Sequence, residues 1–343
     1  MRTVYIVIGC DTDPDRKGFV ENLPAAILSW RGMIEGIPRL KEMVRGLADT
    51  NGRHPAFTWL LRVDDQIRTI YGDYAWVLKE HRAFLSDLES DGDELGWHPH
   101  FWRRDEPARK WYQEATDLPW QLEMLRNSHA AFVEVFPGRA TSVRMGWDYH
   151  NNDTYGELER LGVTMEFSAI PGLRTRPASP DRRGENFFDW YPTPLTPYHP
   201  SRADYRRPPR PGEEASSLLE VPNFTSRSRL WGLISGLQFT RKMKDPGQLF
   251  QALRRPTYWI NITGIPKLFV PLVRQLRRTL RRSQDRTTVF ATYFHPDELL
   301  ENRSGLYRLE SVKHNLEALL QVCDSEDVAV EFTRAGRVPN LLK

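Results

Sequence analysis

The sequence predicts an α/β protein built on a parallel sheet, either open or closed into a barrel. Three observations carry this. Short apolar, β-branched runs alternate with amphipathic stretches of helical period from Thr3 onward, the rhythm of repeated strand–helix–strand units. Charged and histidine residues fall at the ends of those runs, where parallel sheets and barrels place their sites. No stretch approaches the ~20 apolar residues of a membrane span. The 343 residues leave room for one large α/β domain or two small ones, and we read one, over 1–343. A net charge of +3 makes no demand for nucleic acid. Cys10 and Cys323 lie far apart, which is no disulfide framework and suits a reducing compartment. The first residues run straight into a strand without signal-peptide features, so the expectation is a cytoplasmic protein.

The first strand, Thr3 to Ile8, leads into Gly9-Cys10-Asp11-Thr12-Asp13-Pro14-Asp15. Side chains alternate along a strand, so Asp11 and Asp13 share a face if the strand continues to Asp13. Two carboxylates there suggest a metal ligand beside a general base; Asp15 competes for either role if the strand ends at Asp11. Ile34 to Leu47 reads as a helix and Ala56 to Val63 as a strand ending in Asp64-Asp65. Trp76 to Leu88 is helical, and Glu94 to Phe101 is a short strand closing on His98-Pro99-His100. Leu118 to Phe136 is a long helix stopped by Pro137-Gly138. Thr141 to Arg144 is a strand, roughly Thr154 to Leu161 a helix capped by Gly162, and Val163 to Phe167 a strand.

From 171 to 211 the rhythm gives way to proline, arginine and aromatic residues, and a segment this long reads as an ordered, lid-like loop. Leu218 to Val221 resumes the sheet. Residues 222–286 form a basic, partly helical insertion. Its 266–282 stretch has an apolar side and an arginine side, which suits either peripheral contact with anionic lipid or a solvated barrel helix. No nucleic-acid motif accompanies the charge. Thr287 to Phe294 is a late strand ending in His295, Leu306 to Cys323 a helix, and Val328 to Thr333 the last strand.

His98 and His100 are two apart on a strand and so share a face, as chelating ligands must. With Asp13 they make two imidazoles and one carboxylate, a set suited to one divalent ion: zinc first, with manganese, cobalt or nickel as alternatives. Trp97, Trp102 and Trp147 could stack on sugar rings, although tryptophans at strand ends commonly belong to the core.

These segments resemble the polysaccharide deacetylases of the NodB-homology family, metal-dependent hydrolases that remove acyl groups from amino sugars. Asp11-Thr12-Asp13 stands where the family has its paired aspartates, which implies Asp11 as general base and Asp13 as metal ligand. Gly92 to His100 is similar to the segment leading to the ligand histidines. Arg144-Met145-Gly146-Trp147 is similar to the stretch whose arginine fixes the base, and His295 stands where the family keeps its general acid. The resemblance implies a deformed, TIM-like barrel of seven or eight parallel strands, with the last strand beside the first. Asp189-Trp190 is the candidate for orienting His295, and Trp147, Asp148, Asp189 and Trp190 for lining the sugar site. Three features depart from the pattern: Thr12 separates the aspartates, the histidines are two apart rather than four, and Met145-Gly146 replaces a proline after the arginine. The implied substrate is an amino sugar or glycan, lipid-linked in one reading, used in building a surface polysaccharide at the inner face of the membrane. Hydrolysis of another amide or ester on the same scaffold, or a silent glycan-binding relative, are the alternatives.

Overall fold

The computed structural model describes residues 2–15, 28–107, 109–175, 188–243, 247–283, 285–300 and 305–342. In chain order the strands are β1 (Thr3–Thr12), β2 (Phe57–Arg62), β3 (Glu94–His98), β4 (Trp102–Asp105), β5 (Lys110–Gln113), β6 (Ser142–Val143), β7 (Met165–Glu166), β8 (Arg174–Thr175), β9 (Phe188–Asp189), β10 (Leu219–Glu220), β11 (Thr287–Phe294) and β12 (Ala329–Thr333). The helices are α1 (Ile37–Val44), α2 (Asp65–Tyr71), α3 (Trp76–Glu80), α4 (Arg82–Ser90), α5 (Leu118–Val135), α6 (Asn152–Arg160), α7 (Arg229–Met243), α8 (Gly247–Arg254), α9 (Pro266–Arg282) and α10 (Leu309–Ser325), with shorter turns between.

The main sheet is parallel throughout and curls into a half-barrel in the order β10-β7-β6-β3-β2-β1-β11. β1 is its spine. One edge of β1 pairs along its length with β11, Thr3 opposite Thr287 through Cys10 opposite Phe294. The other edge is shared: β12 lies against Thr3–Val7 and β2 against Ile8–Thr12. The last strand therefore does lie beside the first, and the strand count agrees with a deformed TIM-like barrel. Just past β10, the Phe224 amide donates to the Ala291 carbonyl of β11 at 2.8 Å, a bond across the open side.

Period-two alternation along β1 divides the core. Val4, Ile6, Ile8 and Cys10 face the surrounding helices, whereas Val7 joins Leu60, Phe167, Val221 and Ala291 inside the barrel. The same alternation turns Gly9, Asp11 and Asp13 inward. The barrel is tight here: a Cβ on Gly9 would sit 2.5 Å from the Phe167 ring. Apolar packing thus fills the lower interior, and charge begins one residue above it.

Several boundaries differ from the sequence reading. The helix expected over Trp76–Leu88 is two helices, broken at His81, whose ring packs against Trp30 and Trp76. The helix expected from Ile34 begins with a π-helical turn over Gly32–Gly36. Within 171–211, residues 176–187 lie outside the described residues. The described remainder is anchored: β8 pairs with β9, Tyr198 bridges to Glu220, and Tyr205 stacks on Tyr155. The stretch 266–282 forms one barrel helix, α9, with Phe269, Leu272, Leu276 and Leu280 buried. Its apolar side is consumed by packing, so α9 alone offers a membrane only its basic side. Of the two readings of 266–282, the packing of the apolar side matches the barrel helix.

Candidate metal centre and active site

β1 brings two carboxylates to the barrel mouth, and the chain then turns, the Asp13 amide donating back to the Asp11 carbonyl at 2.7 Å. β3 brings His98 on its inward face. His100 follows Pro99, its amide held at 3.1 Å by the Asp64 carboxylate. The Nε2 atoms of His98 and His100 converge to 3.0 Å, and Asp13 Oδ1 lies 3.5 Å from His100 Nε2 and 3.8 Å from His98 Nε2. Among the described residues this trio is the one group of His, Cys, Asp or Glu placed to hold a metal ion.

The donor set fits a divalent ion on three grounds. The two Nε2 atoms point at one place, where either a hydrogen bond between the rings or a metal ion bound by both is accommodated. His98 Nδ1 lies 2.6 Å from the Arg144 carbonyl, which fixes that proton on Nδ1 and turns the Nε2 lone pair to the site. Finally, Asp13 adds a carboxylate to the two imidazoles, the mixed donor set that divalent first-row ions take.

Local electrostatics sort the ligands. Burial alone would raise the Asp13 pKa, but Arg62 and His100 beside it outweigh that and hold it well below the usual carboxylate range. Burial and then Arg62 push His100 well below the usual histidine value, which keeps it neutral. Burial also disfavours charge on His98, yet Asp11 and Asp13 prevail and raise it. Arg62 is central to this arrangement. It lies fully buried at the end of β2, donates from Nη1 to Asp13 Oδ1 at 2.5 Å, and also binds Asp64 and Gln66.

Asp15 is placed differently. Its carboxylate accepts from Ser29 Oγ at 2.5 Å and from the Gly32 amide at 3.0 Å, tying down the start of the π-helical turn. It stands outside the trio.

Gly146 accounts for two of the departures together. Its amide donates to the Pro99 carbonyl at 2.8 Å, and a Cβ there would meet the His100 ring at 2.0–2.2 Å. Histidines two apart need this ring to lie flat on the 144–148 turn, and only glycine leaves the space. Gly146→Ala is therefore expected to displace His100 and weaken metal affinity by ~10–100-fold, the scale of positioning defects at metal sites. Competition against a chromophoric chelator measures this; unchanged affinity would separate Gly146 from the site.

Arg144, fully buried, binds three groups at once: Asp11 Oδ2 through Nε at 2.8 Å, the Phe167 carbonyl through Nη1 at 2.6 Å and Asp148 Oδ1 through Nη2 at 2.6 Å. Its guanidinium lies 3.6 Å from the centre of the Tyr293 ring. Asp11 Oδ1 is buried and without a hydrogen-bond partner, so one carboxylate oxygen is tethered and the other free. Burial pushes Asp148 up to about 6, against the pull of Arg144.

His295 ends β11 with Nε2 3.7 Å from Asp11 Oδ2, while Nδ1 faces Glu298 Oε1 at 3.3 Å. Glu298 is buried and held by Asn261 and Thr263. The partner of His295 is thus Glu298, not Asp189. Asp189 instead accepts from Arg206 Nη1 at 2.5 Å, on a strand that pairs with β8 outside the main sheet. Trp190 is fully buried, donates from Nε1 to the Asp148 carbonyl at 2.8 Å, and packs on Tyr205, leaving no face for a sugar. It supports the 144–148 turn from behind. Trp97 and Trp102 are likewise buried. Trp147 is partly exposed, held at φ 57° beside Asp148 at φ 56°. Two successive non-glycine residues in the left-handed region are strain of the kind that clusters at functional sites.

Arg62, Asp64, Gly146 and Glu298 escaped the sequence reading. A signal existed for two of them: Arg62 is a lone charge within an otherwise apolar strand, and Glu298 lies three residues past His295 across a proline turn.

No protein-family model matches the chain, and no curated protein matches it in sequence. Solved structures match it in shape. A provisionally assigned glycoside hydrolase/deacetylase from Parabacteroides distasonis aligns with a TM-score of 0.53 at 10% identity, over 99% of this chain and 70% of that one. The chain shares its fold. A provisionally assigned polysaccharide deacetylase from Mycobacterium smegmatis aligns at TM-score 0.49 and 13% identity, over 99% of this chain and 90% of that one. Another, from Bordetella bronchiseptica and described as involved in O-antigen biosynthesis, aligns at 0.35 and 12%, over 93% and 89%. At 10% identity the likeness to the Parabacteroides distasonis structure extends to the fold alone.

Proposed function

We propose that the protein is a metal-dependent hydrolase that removes an N-acetyl or other N-acyl group from an amino sugar within a glycan. The observation that carries this is the convergence, at one barrel mouth, of the Asp13–His98–His100 trio with the tethered Asp11 and with His295. Asp13, His98 and His100 would hold the ion, which when bound supplies Lewis acidity to the amide carbonyl and to the attacking water. Asp11, with one oxygen fixed by Arg144 and the other free, takes the proton from water as it attacks the carbonyl carbon. His295, braced by Glu298, delivers a proton to the nitrogen as the C–N bond breaks. One water is consumed, and a carboxylate and an amine leave. Arg144 gives Asp11 a fixed direction and offsets its charge. Trp147, partly exposed on the 144–148 turn, and Asp148 beside it would line the sugar.

Acetate release from N-acetylated glycans and amino-sugar derivatives tests this, with metal content followed in parallel. Chelation should abolish release and zinc, manganese, cobalt or nickel restore it. Release that survives complete metal removal would contradict the proposal, whereas metal-dependent release from a simple ester or a non-sugar amide alone would redirect it to another substrate on the same scaffold. The silent-relative reading is disfavoured because every ligand and both proton-handling groups are present. Glu298→Gln should lower turnover at least ~10-fold and leave metal content unchanged, since Glu298 reaches the reacting groups through His295. A loss of metal in that variant would contradict this assignment.

A further inference from the structure

The α7–α8 hairpin rises from the rim of the proposed active site. Its stem is closed by the antiparallel bridge between Ser226 and Tyr258, N···O 2.8 and 3.0 Å. The chain enters from the carboxyl end of β10. It leaves through Arg255, which donates to the Tyr191 and Thr193 carbonyls, and through Asn261 and Thr263, which hold Glu298 behind His295. The base of the hairpin is therefore tied to the segments that frame the mouth.

Its surface is unusual in two independent respects. Leu230, Leu237, Phe250 and Leu253 are four of the nine exposed large hydrophobic side chains among the described residues, and Leu230, Phe250 and Leu253 are 65%, 57% and 64% exposed. A hairpin this apolar outside a core marks an interaction surface. The surrounding residues, 226–286, carry fourteen lysines and arginines against two aspartates, although the whole chain has 48 basic and 45 acidic residues. Trp231 of α7 packs on Tyr258 with ring centroids 5.2 Å apart, and the Tyr258 hydroxyl donates to the Leu268 carbonyl of α9. This joins the hairpin to the helix that exposes Lys267, Arg274, Arg278 and Arg282.

We propose that this hairpin docks on an anionic lipid surface, its leucines and phenylalanine entering the headgroup boundary while the α9 cations meet the headgroups. Apolar side chains flanked by unbalanced positive charge match such a surface chemically. A second copy of the chain matches poorly, because an isologous contact would set two strongly basic patches against each other. No helix among the described residues is long and apolar enough to cross a membrane, so the contact is peripheral. Resting on the deacetylase reading, the substrate class becomes a glycan carried on a membrane lipid, presented to a mouth held at the interface.

Co-sedimentation of the full chain with vesicles tests the docking without reference to catalysis. Vesicles of phosphatidylcholine with phosphatidylglycerol should bind at least ~10-fold better than phosphatidylcholine alone, and added salt should reduce the difference. The variant combining Leu230→Glu, Phe250→Glu and Leu253→Glu should lose binding. Arg274→Gln with Arg278→Gln and Arg282→Gln should lose the preference for anionic vesicles, and it leaves the hairpin untouched should the first variant fail to fold. Equal recovery with both vesicle types, or binding unaffected by either variant, overturns the proposal. So does a dimer in sedimentation velocity that the apolar variant dissolves while vesicles are ignored. Acetate release from a soluble glycan should be the same in the apolar variant as in the parent; its absence in both would overturn the deacetylase reading and leave the docking result standing.

Discussion

Replacing His98 or His100 with alanine is expected to remove nearly all bound metal and to reduce acetate release to background, with the fold retained. Each histidine would supply one of three ligands in the proposed site, so its loss would leave two donors. The barrel survives because the charges left behind keep partners: Arg62 still binds Asp13 and Asp64, and Arg144 still binds Asp11 and Asp148. Asp13→Asn should likewise lose metal, and it also removes a charged partner from the buried Arg62. Asp15→Asn provides the contrast. It should keep full metal content, because the Asp15 carboxylate serves Ser29 and Gly32, and cost about 1–2 kcal/mol of stability through those weakened bonds. Elemental analysis and thermal melting of the variants decide between these outcomes; metal lost from Asp15→Asn and kept in Asp13→Asn would move the carboxylate ligand to Asp15.

Asp11→Asn should behave in the opposite sense, retaining metal while turnover falls by ~10²–10⁴-fold, the usual worth of a positioned general base. Asparagine keeps the size of the side chain and can still accept from Arg144 through its amide oxygen, but it cannot take a proton from water. Arg144→Ala should reproduce a weaker form of the turnover defect and add a folding defect. It would leave the Asp11 and Asp148 carboxylates and the Phe167 carbonyl without their common donor, and breaking a buried pair by removing one partner costs about 3–5 kcal/mol. Turnover, metal content and melting temperature measured together separate the two roles. Wild-type turnover in Asp11→Asn would show that the base is another residue.

The parallel sheet was legible from the apolar rhythm, and the inward direction of Asp11 and His98 from period-two alternation, whereas the barrel and the ligand roles came from the family resemblance. β1 is β-branched and buried, so its inward set could be counted from Val7 through Gly9 to Asp11 and Asp13. β3 fixed His98 in the same way. Arg62 lay in a strand read for its apolar residues, and its inward direction became meaningful only when β2 was placed beside β1. Gly146 has no local signature, since the His100 ring that excludes a side chain there comes from a segment nearly fifty positions earlier. Asp189 and Trp190 were assigned to the site from an irregular segment, where no period fixes which way a side chain points. Packing then buried one and paired the other with Arg206. Outside 266–282, the basic stretch after β10 was read mainly by its charge. Its division into an exposed apolar hairpin and a packed barrel helix depends on which faces find partners, and α7 shows no helical segregation of apolar residues that would have foretold it.

Anomalous diffraction from crystals of the metal-reconstituted protein tests the central claim most directly. The account predicts one strong peak at the absorption edge of the added metal, within bonding distance of Asp13, His98 Nε2 and His100 Nε2, with Asp11 outside the coordination shell and still bound to Arg144. A peak ligated by Asp11 or Asp15 in place of Asp13, or no peak between the two imidazoles, would contradict it.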